Sequence, residues 1–366
     1  MKKIFVSTPS RICLFGEHQD YLGLEVVASA INLRFYAEAT SRQDMLINLH
    51  LTGEDMEVEE VIDLSKPIVY ENKRDYLKSV MNVLRRKNYP LNQGYDITMH
   101  SEIPIGKGMS SSTTMIIVLI KVLLEMMDHP DKDQPETIAR LGFEAEVLEF
   151  DEPGGMMDHY ASAVGDLVHL TFNPEETLVR KISRTIPGSF ILFDSLQDKD
   201  TTKVIADAKT PVLEALDQLK EYGITSVRDF VQDEENLKYL SYLDERRKTK
   251  LMASIDNYRI LKEGLSLLES ENFSPEKLGQ LLKEHHANLR DGLEISTPII
   301  EQILEKAYTY GALGGKINGS GGGGCCYVYA YDEDCQKIVE AVQALGYKGL
   351  VIKQDTGVRK DKEEIR

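Results

Sequence analysis

The chain has 366 residues, of which 42% are hydrophobic and 28% charged, the balance of a soluble globular protein with one large or two ordinary domains. Lys and Arg number 43 against 60 Asp and Glu, a net charge of −17, which disfavours nucleic acid and anionic membranes as partners and means that an anionic ligand needs a local positive site. The four cysteines, Cys13, Cys325, Cys326 and Cys335, form no CxxC pair and no Cys/His cluster, so structural zinc is not expected, and free thiols in a reducing, cytoplasmic setting are.

The N-terminal stretch is basic and then briefly apolar, and Pro9 and Arg11 cut the run short of a signal peptide. Residues 4–7 and 26–31 read as strands. Between them lies Ser10-Arg11-Ile12-Cys13-Leu14-Phe15-Gly16-Glu17-His18-Gln19-Asp20-Tyr21. An apolar strand ends there at a glycine and meets Glu, His and Asp at once, which suits either a ligand or a solvated turn. Residues 75–87 have helical spacing, and the strand 95–99 runs into the most telling stretch, Pro104-Ile105-Gly106-Lys107-Gly108-Met109-Ser110-Ser111-Ser112-Thr113-Thr114. Its glycines permit a tight turn and close approach to a ligand. Its hydroxyls sit where a helix over 113–127 begins, and a helix start with outward N–H groups is an anion site suited to phosphate. The apolar run 115–124 carries Lys121 and is too short to span a bilayer.

A helix over 134–149, with Pro135 near its start, carries Glu146. Glu152-Pro153-Gly154-Gly155-Met156-Met157-Asp158 then leads into a helix over 159–164. That context can bury Asp158, which needs a cationic partner, with Arg11 a candidate; Asp158 can equally cap the helix. Residues 167–171 and 190–193 read as strands. After residue 201 amphipathic helices dominate: 204–222, 234–242, 247–270, 274–291 and 298–309. The glycine-rich run Gly314-Gly315-Lys316-Ile317-Asn318-Gly319-Ser320-Gly321-Gly322-Gly323-Gly324 follows. It contains GxGxxG, but the strand 325–330 comes next instead of a helix, so a Rossmann site is rejected. Close passage of backbone past a ligand or another chain segment explains these glycines better. A helix over 334–345 and a strand over 349–353 complete the reading. A domain boundary is expected near 180–200, with ligand between the domains.

These three segments, in this order, resemble the three motifs of the GHMP small-molecule kinases, and within that superfamily the galactokinases most. Arg11 with Gly16-Glu17-His18-Gln19-Asp20-Tyr21 is similar to the sugar-kinase first motif, and Gly155-Met156-Met157-Asp158 to the segment carrying the catalytic aspartate. The resemblance implies an α+β, two-domain GHMP kinase fold. A ribosomal-protein-S5-like nucleotide-binding domain would span residues 1–187. A helix-rich α/β domain, 188–366, would complete the substrate cleft, leaving open a return of the last strand to the first domain. It implies transfer of phosphate from ATP to the anomeric hydroxyl of a monosaccharide, with galactose the first candidate. The alternatives are a related kinase acting on L-arabinose, a hexuronic acid, N-acetylgalactosamine or mevalonate, or a non-catalytic sugar sensor.

In that frame Asp158 is base or orienting anion, and Arg11 fixes it as a carboxylate. Gly106, Lys107, Gly108, Ser110, Ser111 and Ser112 hold ATP, and Ser111 and Glu146 hold Mg2+. Glu17, His18, Asp20 and the Gly155 backbone hold the sugar. The partner is a small sugar, with no nucleic acid or membrane, and the chain is a monomer or weak homodimer. Leu22-Gly23-Leu24 and Thr201-Thr202-Lys203 depart from the galactokinase pattern. Lys203 is either a selector of a uronate carboxylate or a surface lysine.

Overall fold

Two β-sheets organise the computed structural model, which describes residues 2–53, 56–104, 106–173 and 176–365. Ile105 of the serine loop therefore lies outside the described residues. The first sheet is built on β1 (Lys2–Phe15) and β2 (Val26–Ser41), paired antiparallel. β3 (Leu46–Gly53), β4 (Met56–Asp63) and β5 (Tyr95–Ser101) extend it, with β3 and β5 parallel. β6 (Leu167–Phe172) pairs with the start of β2, and β7 (Thr177–Lys181) pairs with β6. The second sheet holds β8 (Ser189–Asp194), β9 (Gly314–Ile317), β10 (Cys325–Ala330) and β11 (Gly349–Ile352), in the order β11-β8-β10-β9. The final strand, β12 (Arg359–Ile365), runs antiparallel to β1 and closes the first sheet on that side.

The short strands expected at 4–7 and 26–31 are pieces of strands of 14 and 16 residues. Arg34 shows why so polar a strand persists. Its buried guanidinium bonds Ser7, Asp355 and the carbonyls of Thr356 and Gly357, so the charge is satisfied inside the sheet. The β1–β2 register shifts between Pro9 and Ser10, immediately before Arg11. An irregularity of this kind twists a strand and re-aims the side chains beside it.

Helices α1 (Tyr76–Arg86), α2 (Ser111–Met126), α3 (Pro135–Phe143) and α4 (Met157–Val164) belong with the first sheet. α2 is apolar nearly all round and is correspondingly buried. The helix expected over 134–149 is present: α3 runs without a gap into a π turn at Glu144–Leu148. α5 (Thr201–Leu219), α6 (Val227–Gln232), α7 (Glu245–Glu269), α8 (Pro275–Ala287), α9 (Pro298–Thr309) and α10 (Asp332–Gln343) supply the helical second half. The stretch Glu234–Tyr242, expected as an α-helix, is a 3-10 helix.

Candidate functional site

A cavity of about 400 Å³ opens between the mouth of α2, the turn after β1, the turn before α4 and the start of α5. Its floor is an ion pair that joins residues 147 positions apart. Arg11 grips Asp158 with two parallel bonds, Nε to Oδ1 at 2.6 Å and Nη2 to Oδ2 at 2.7 Å. The third arm of the guanidinium donates to the Gly108 carbonyl at 3.1 Å. Ser110 Oγ donates a further bond to Asp158 Oδ2 at 2.6 Å. The arginine is sealed, with 3% of its side chain exposed, while the aspartate keeps 27% toward the cavity. Burial works to raise the Asp158 pKa, but the Arg11 charge, its hydrogen bonds and the Ser110 hydroxyl outweigh it, so the carboxyl is held below its ordinary value. Asp158 does not cap α4. Met156 holds the cap position and Asp158 lies in the first turn, where a negative charge suits the helix dipole.

Ser110 precedes α2 in a left-handed conformation, φ 56°, unusual for a residue with a side chain. Its hydroxyl is spent on Asp158 and caps nothing. The first bond of the helix runs from Thr114 N to Ser110 O. The N–H groups of Ser111, Ser112 and Thr113 therefore have no intrahelical acceptor and stand at the positive end of a 16-residue helix, beside the cavity. Glu146 faces the same mouth from the π turn, accepting from Ser112 Oγ at 2.6 Å and Thr113 Oγ1 at 2.7 Å. His159 Nε2 lies 2.8 Å from Oε2, the oxygen that accepts from Thr113. The π turn inserts one residue into the helical repeat and so re-aims Glu146, a use of such turns common at functional sites.

The turn after β1 builds the opposite wall. Asp20 accepts from Met157 N and Tyr21 N. Burial first, and then the neighbouring Asp158 charge, push its pKa up to about 6. A Cβ on Gly155 would come within 1.9 Å of Asp20 Oδ2, so any side chain there would displace that carboxylate. His18 has both ring nitrogens engaged, with Tyr21 Oη at 2.7 Å and the Ser320 carbonyl at 2.9 Å. A carbonyl only accepts, so Nε2 carries the proton and Nδ1 accepts from Tyr21. Burial holds His18 below its usual pKa and so neutral. Glu17 Oε2 is taken by Lys316 Nζ at 2.6 Å, in a pair with 2% and 0% of the side chains exposed.

The glycine-rich segment passes against the serine loop, as its composition suggests. A Cβ on Gly319 would meet Gly108 O at 2.7 Å, and one on Gly324 would meet Lys107 O at 2.4 Å. Cys325 N donates to Lys107 O, and Asn318 spans from Cys13 N to Gly108 O. The loop that faces the ligand is thus propped by residues 210 or more positions later in the chain.

The structure brings Arg11, Glu17, His18, Asp20, Glu146, Gly155 and Asp158 to one cavity with Gly106, Gly108, Ser110, Ser111 and Ser112. Lys107 instead reaches outward to the exposed Asp198. Lys203 is exposed, and the lysine at the cavity is Lys199, four residues earlier. Sequence reasoning missed Lys199 and Arg74, which pairs with Glu152 on the cavity rim, because single polar residues outside a motif carry no local signal; Lys316 and Asn318 stand inside the glycine-rich run, but their roles there depend on contacts with Glu17, Cys13 and Gly108. Ser111 and Glu146 present oxygen donors, the kind a hard dication takes.

Three family models match the chain. They are the GHMP kinases N terminal domain over residues 75–166, the GHMP kinases C terminal over 266–348, and the galactokinase galactose-binding signature over 1–41. A galactokinase of Bacillus subtilis is 26% identical, the match covering 98% of this chain and 91% of that one. A galactokinase of Exiguobacterium sibiricum is 27% identical, over 91% and 86%. Among solved structures, Lactococcus lactis galactokinase complexed with galactose superposes with a TM-score of 0.79 at 21% identity, covering 98% of this chain and 95% of that one. The Methanococcus jannaschii mevalonate kinase gives 0.72 at 20% identity, over 96% and 98%. A sugar kinase and a mevalonate kinase thus share this fold, and the acceptor has to be read from the site.

Proposed function

The chain belongs to the GHMP kinases, and from that premise we propose that it transfers the terminal phosphoryl group of ATP to the anomeric hydroxyl of galactose. The observation that carries the reading is the Asp158 carboxylate, clamped by Arg11 and Ser110 at 2.6–2.7 Å, on the same cavity as the open mouth of α2.

Phosphoryl transfer asks a protein chiefly for position and charge. The free N–H groups of Ser111, Ser112 and Thr113 and the bent backbone at Gly106 and Gly108 receive the phosphates. Ser111 and Glu146 are the residues for Mg2+, which when bound supplies positive charge to the phosphate oxygens. Asp158 sits by the acceptor hydroxyl. Because Arg11 keeps it ionised, it orients that O–H and accepts the proton late, as the new O–P bond forms and the bond to ADP breaks. Asp20 offers acceptor oxygens to the sugar, and Gly155 leaves room for the Asp20 carboxylate beside it. Glu17 and His18 are occupied by Lys316 and by Ser320 and Tyr21, so they shape the sugar wall and fix what touches it.

The galactose-binding signature and the galactokinase relatives favour galactose over the other acceptors. An intact Arg11–Asp158 clamp with Glu146 at the helix mouth favours an enzyme over a sensor. The division into 1–187 and 188–366 is part of the proposal, supported by the first sheet ending at β7 and the second starting at β8, with β12 crossing back. Four buried free thiols support a reducing, cytoplasmic setting, and no helix among the described residues is long and apolar enough to cross a membrane. ADP release from ATP and Mg2+ with a panel of galactose, arabinose, galacturonate, N-acetylgalactosamine and mevalonate tests the reading. Galactose is expected to give the highest kcat/KM. ADP release with mevalonate alone would replace the sugar by another acceptor.

A further inference from the structure

From Thr8 onward the strand that carries Arg11 has one edge without a strand beside it. β2 pairs with β1 on one side as far as Phe15, whereas on the other side β12 pairs only with Lys2–Ser7 among the described residues. Backbone groups on a buried edge need other partners, and at Cys13 both come from side chains of the second half. Asn318 Oδ1 accepts from Cys13 N at 3.0 Å, and Tyr327 Oη donates to Cys13 O at 2.8 Å. Tyr327 spends its one hydroxyl there. The Asn318 amide, fully buried, reaches further: Nδ2 donates to Gly108 O at 3.2 Å, with Met109 Sδ at 3.3 Å as a weaker acceptor. A backbone N–H only donates and a carbonyl only accepts, so Oδ1 must face Cys13 and Nδ2 must face Gly108. The Asn318 main chain is itself fixed, its N–H donating to Cys325 O at 3.0 Å.

The Gly108 carbonyl is also the one that receives the third arm of Arg11, at 3.1 Å. Gly108 stands at φ 80°, and a glycine there does little by itself to fix the plane of the peptide that follows it. Arg11 and Asn318 together hold that carbonyl in place. If it turned away, a guanidinium N–H in a sealed site would lose its acceptor. The guanidinium would then have to shift to regain one, at the expense of its two parallel bonds to Asp158. We propose that Asn318 is a positioning residue for the reaction: by aiming the Gly108 carbonyl at Arg11, it keeps the guanidinium in register with Asp158. This rests on the functional reading only in giving Arg11 and Asp158 the transfer step. Asparagine suits the task because one planar group offers an acceptor and a donor and brings no charge into the interior near Arg11.

Two variants of Asn318 and one control decide it. Asn318→Asp keeps an acceptor for Cys13 and turns a second acceptor against the Gly108 carbonyl. Asn318→Leu drops both bonds and adds no charge. Each should lower kcat with galactose on the order of 10²-fold. KM for galactose and affinity for the Mg2+ complex of AMP-PNP, an ATP analogue that is not hydrolysed, should stay within about threefold. Tyr327→Phe removes the other bond to Cys13. It should lower the unfolding temperature yet keep kcat within about twofold, since its hydroxyl makes no bond to the serine loop. The Arg11 Nε–H is read directly by NMR of protein labelled with 15N-arginine, its signal identified by its loss in Arg11→Lys. That proton should exchange slowly in the unaltered protein and in Tyr327→Phe, and on the order of tenfold faster in both Asn318 variants. The assignment falls if both Asn318 variants keep full kcat, or if Tyr327→Phe loses as much turnover as Asn318→Leu. It falls equally if the loss lies in AMP-PNP affinity instead of kcat, or if the Arg11 signal is unchanged in both Asn318 variants. An unaltered protein that releases no ADP with galactose defeats the sugar reading alone, and the Arg11 signal still decides the role of Asn318.

Discussion

Arg11–Asp158 and Lys316–Glu17 are both pairs at 2.6 Å in which a sealed cation holds a carboxylate, and both link segments far apart in the chain. They differ in what the carboxylate sees. Asp158 keeps a face toward the cavity, while Glu17 keeps almost none. A carboxylate held ionised and open can meet an acceptor hydroxyl. One paired with a cation and closed off can only fix the segments that carry the pair, here the turn after β1 and the strand β9. The same chemistry thus serves the reaction at one pair and the shape of the sugar wall at the other, and exposure decides which.

The comparison breaks most visibly at Asp158. Asp158→Asn should cut kcat on the order of 10²–10⁴-fold while AMP-PNP affinity stays near that of the unaltered protein; a mutant that turns over at a normal rate would remove the carboxylate from the chemistry. Lys316→Met should do the reverse. It strands the Glu17 charge in the interior and should lower unfolding free energy by about 3–5 kcal/mol, read by urea denaturation. Adding Glu17→Leu should return much of that loss, because an apolar pair replaces an orphaned charge. A single Lys316→Met with unchanged stability would mean that Glu17 finds water the structure does not admit.

Gly155→Ala sharpens the sugar side. The new methyl overlaps Asp20 Oδ2, so Asp20 must move, and the galactose KM should rise on the order of 10-fold or more with ATP affinity unchanged. The smallest effect is with pH. Asp20, with its pKa raised to about 6 by burial and by Asp158, is ionised above that value and protonated below it. Galactose KM should therefore climb as pH falls through about 6, by roughly fivefold, the difference between a charged and a neutral acceptor. Asp20→Asn should flatten that profile, and a profile unchanged in the mutant would assign the titration to another group.

The parts of the site legible in the sequence are those whose chemistry is local. Glycines beside hydroxyls before an apolar helix mark the mouth of α2, and Gly155 to Asp158 marks the second wall. The resemblance to the GHMP motifs put these segments in one cleft; the residues alone did not. What stayed hidden depends on contact across the chain. Nothing near Lys199 marks it as different from the surface lysines around it, and the glycine-rich run around Lys316 does not name Glu17 as its partner. Ser110 reads as a cap, and its hydroxyl instead bonds Asp158, 48 residues on, and makes no cap bond. The fold divides in the same way. Ile47, Leu49 and Leu51 of β3 alternate inward as a period of two requires, whereas Arg359-Lys360-Asp361-Lys362-Glu363-Glu364 has no apolar residue to set a period and becomes a strand by pairing with β1.

The central claim is that a clamped, ionised Asp158 meets the anomeric hydroxyl of a sugar across from the nucleotide's terminal phosphate. It is tested most directly by incubating galactose labelled with 13C at the anomeric carbon with ATP and Mg2+ and following phosphorus–carbon coupling by NMR. The account predicts a coupled signal from a 1-phosphate with the unaltered protein, and its near-absence over the same period with Asp158→Asn. A phosphate on any other carbon, or the 1-phosphate formed equally fast by Asp158→Asn, would contradict it.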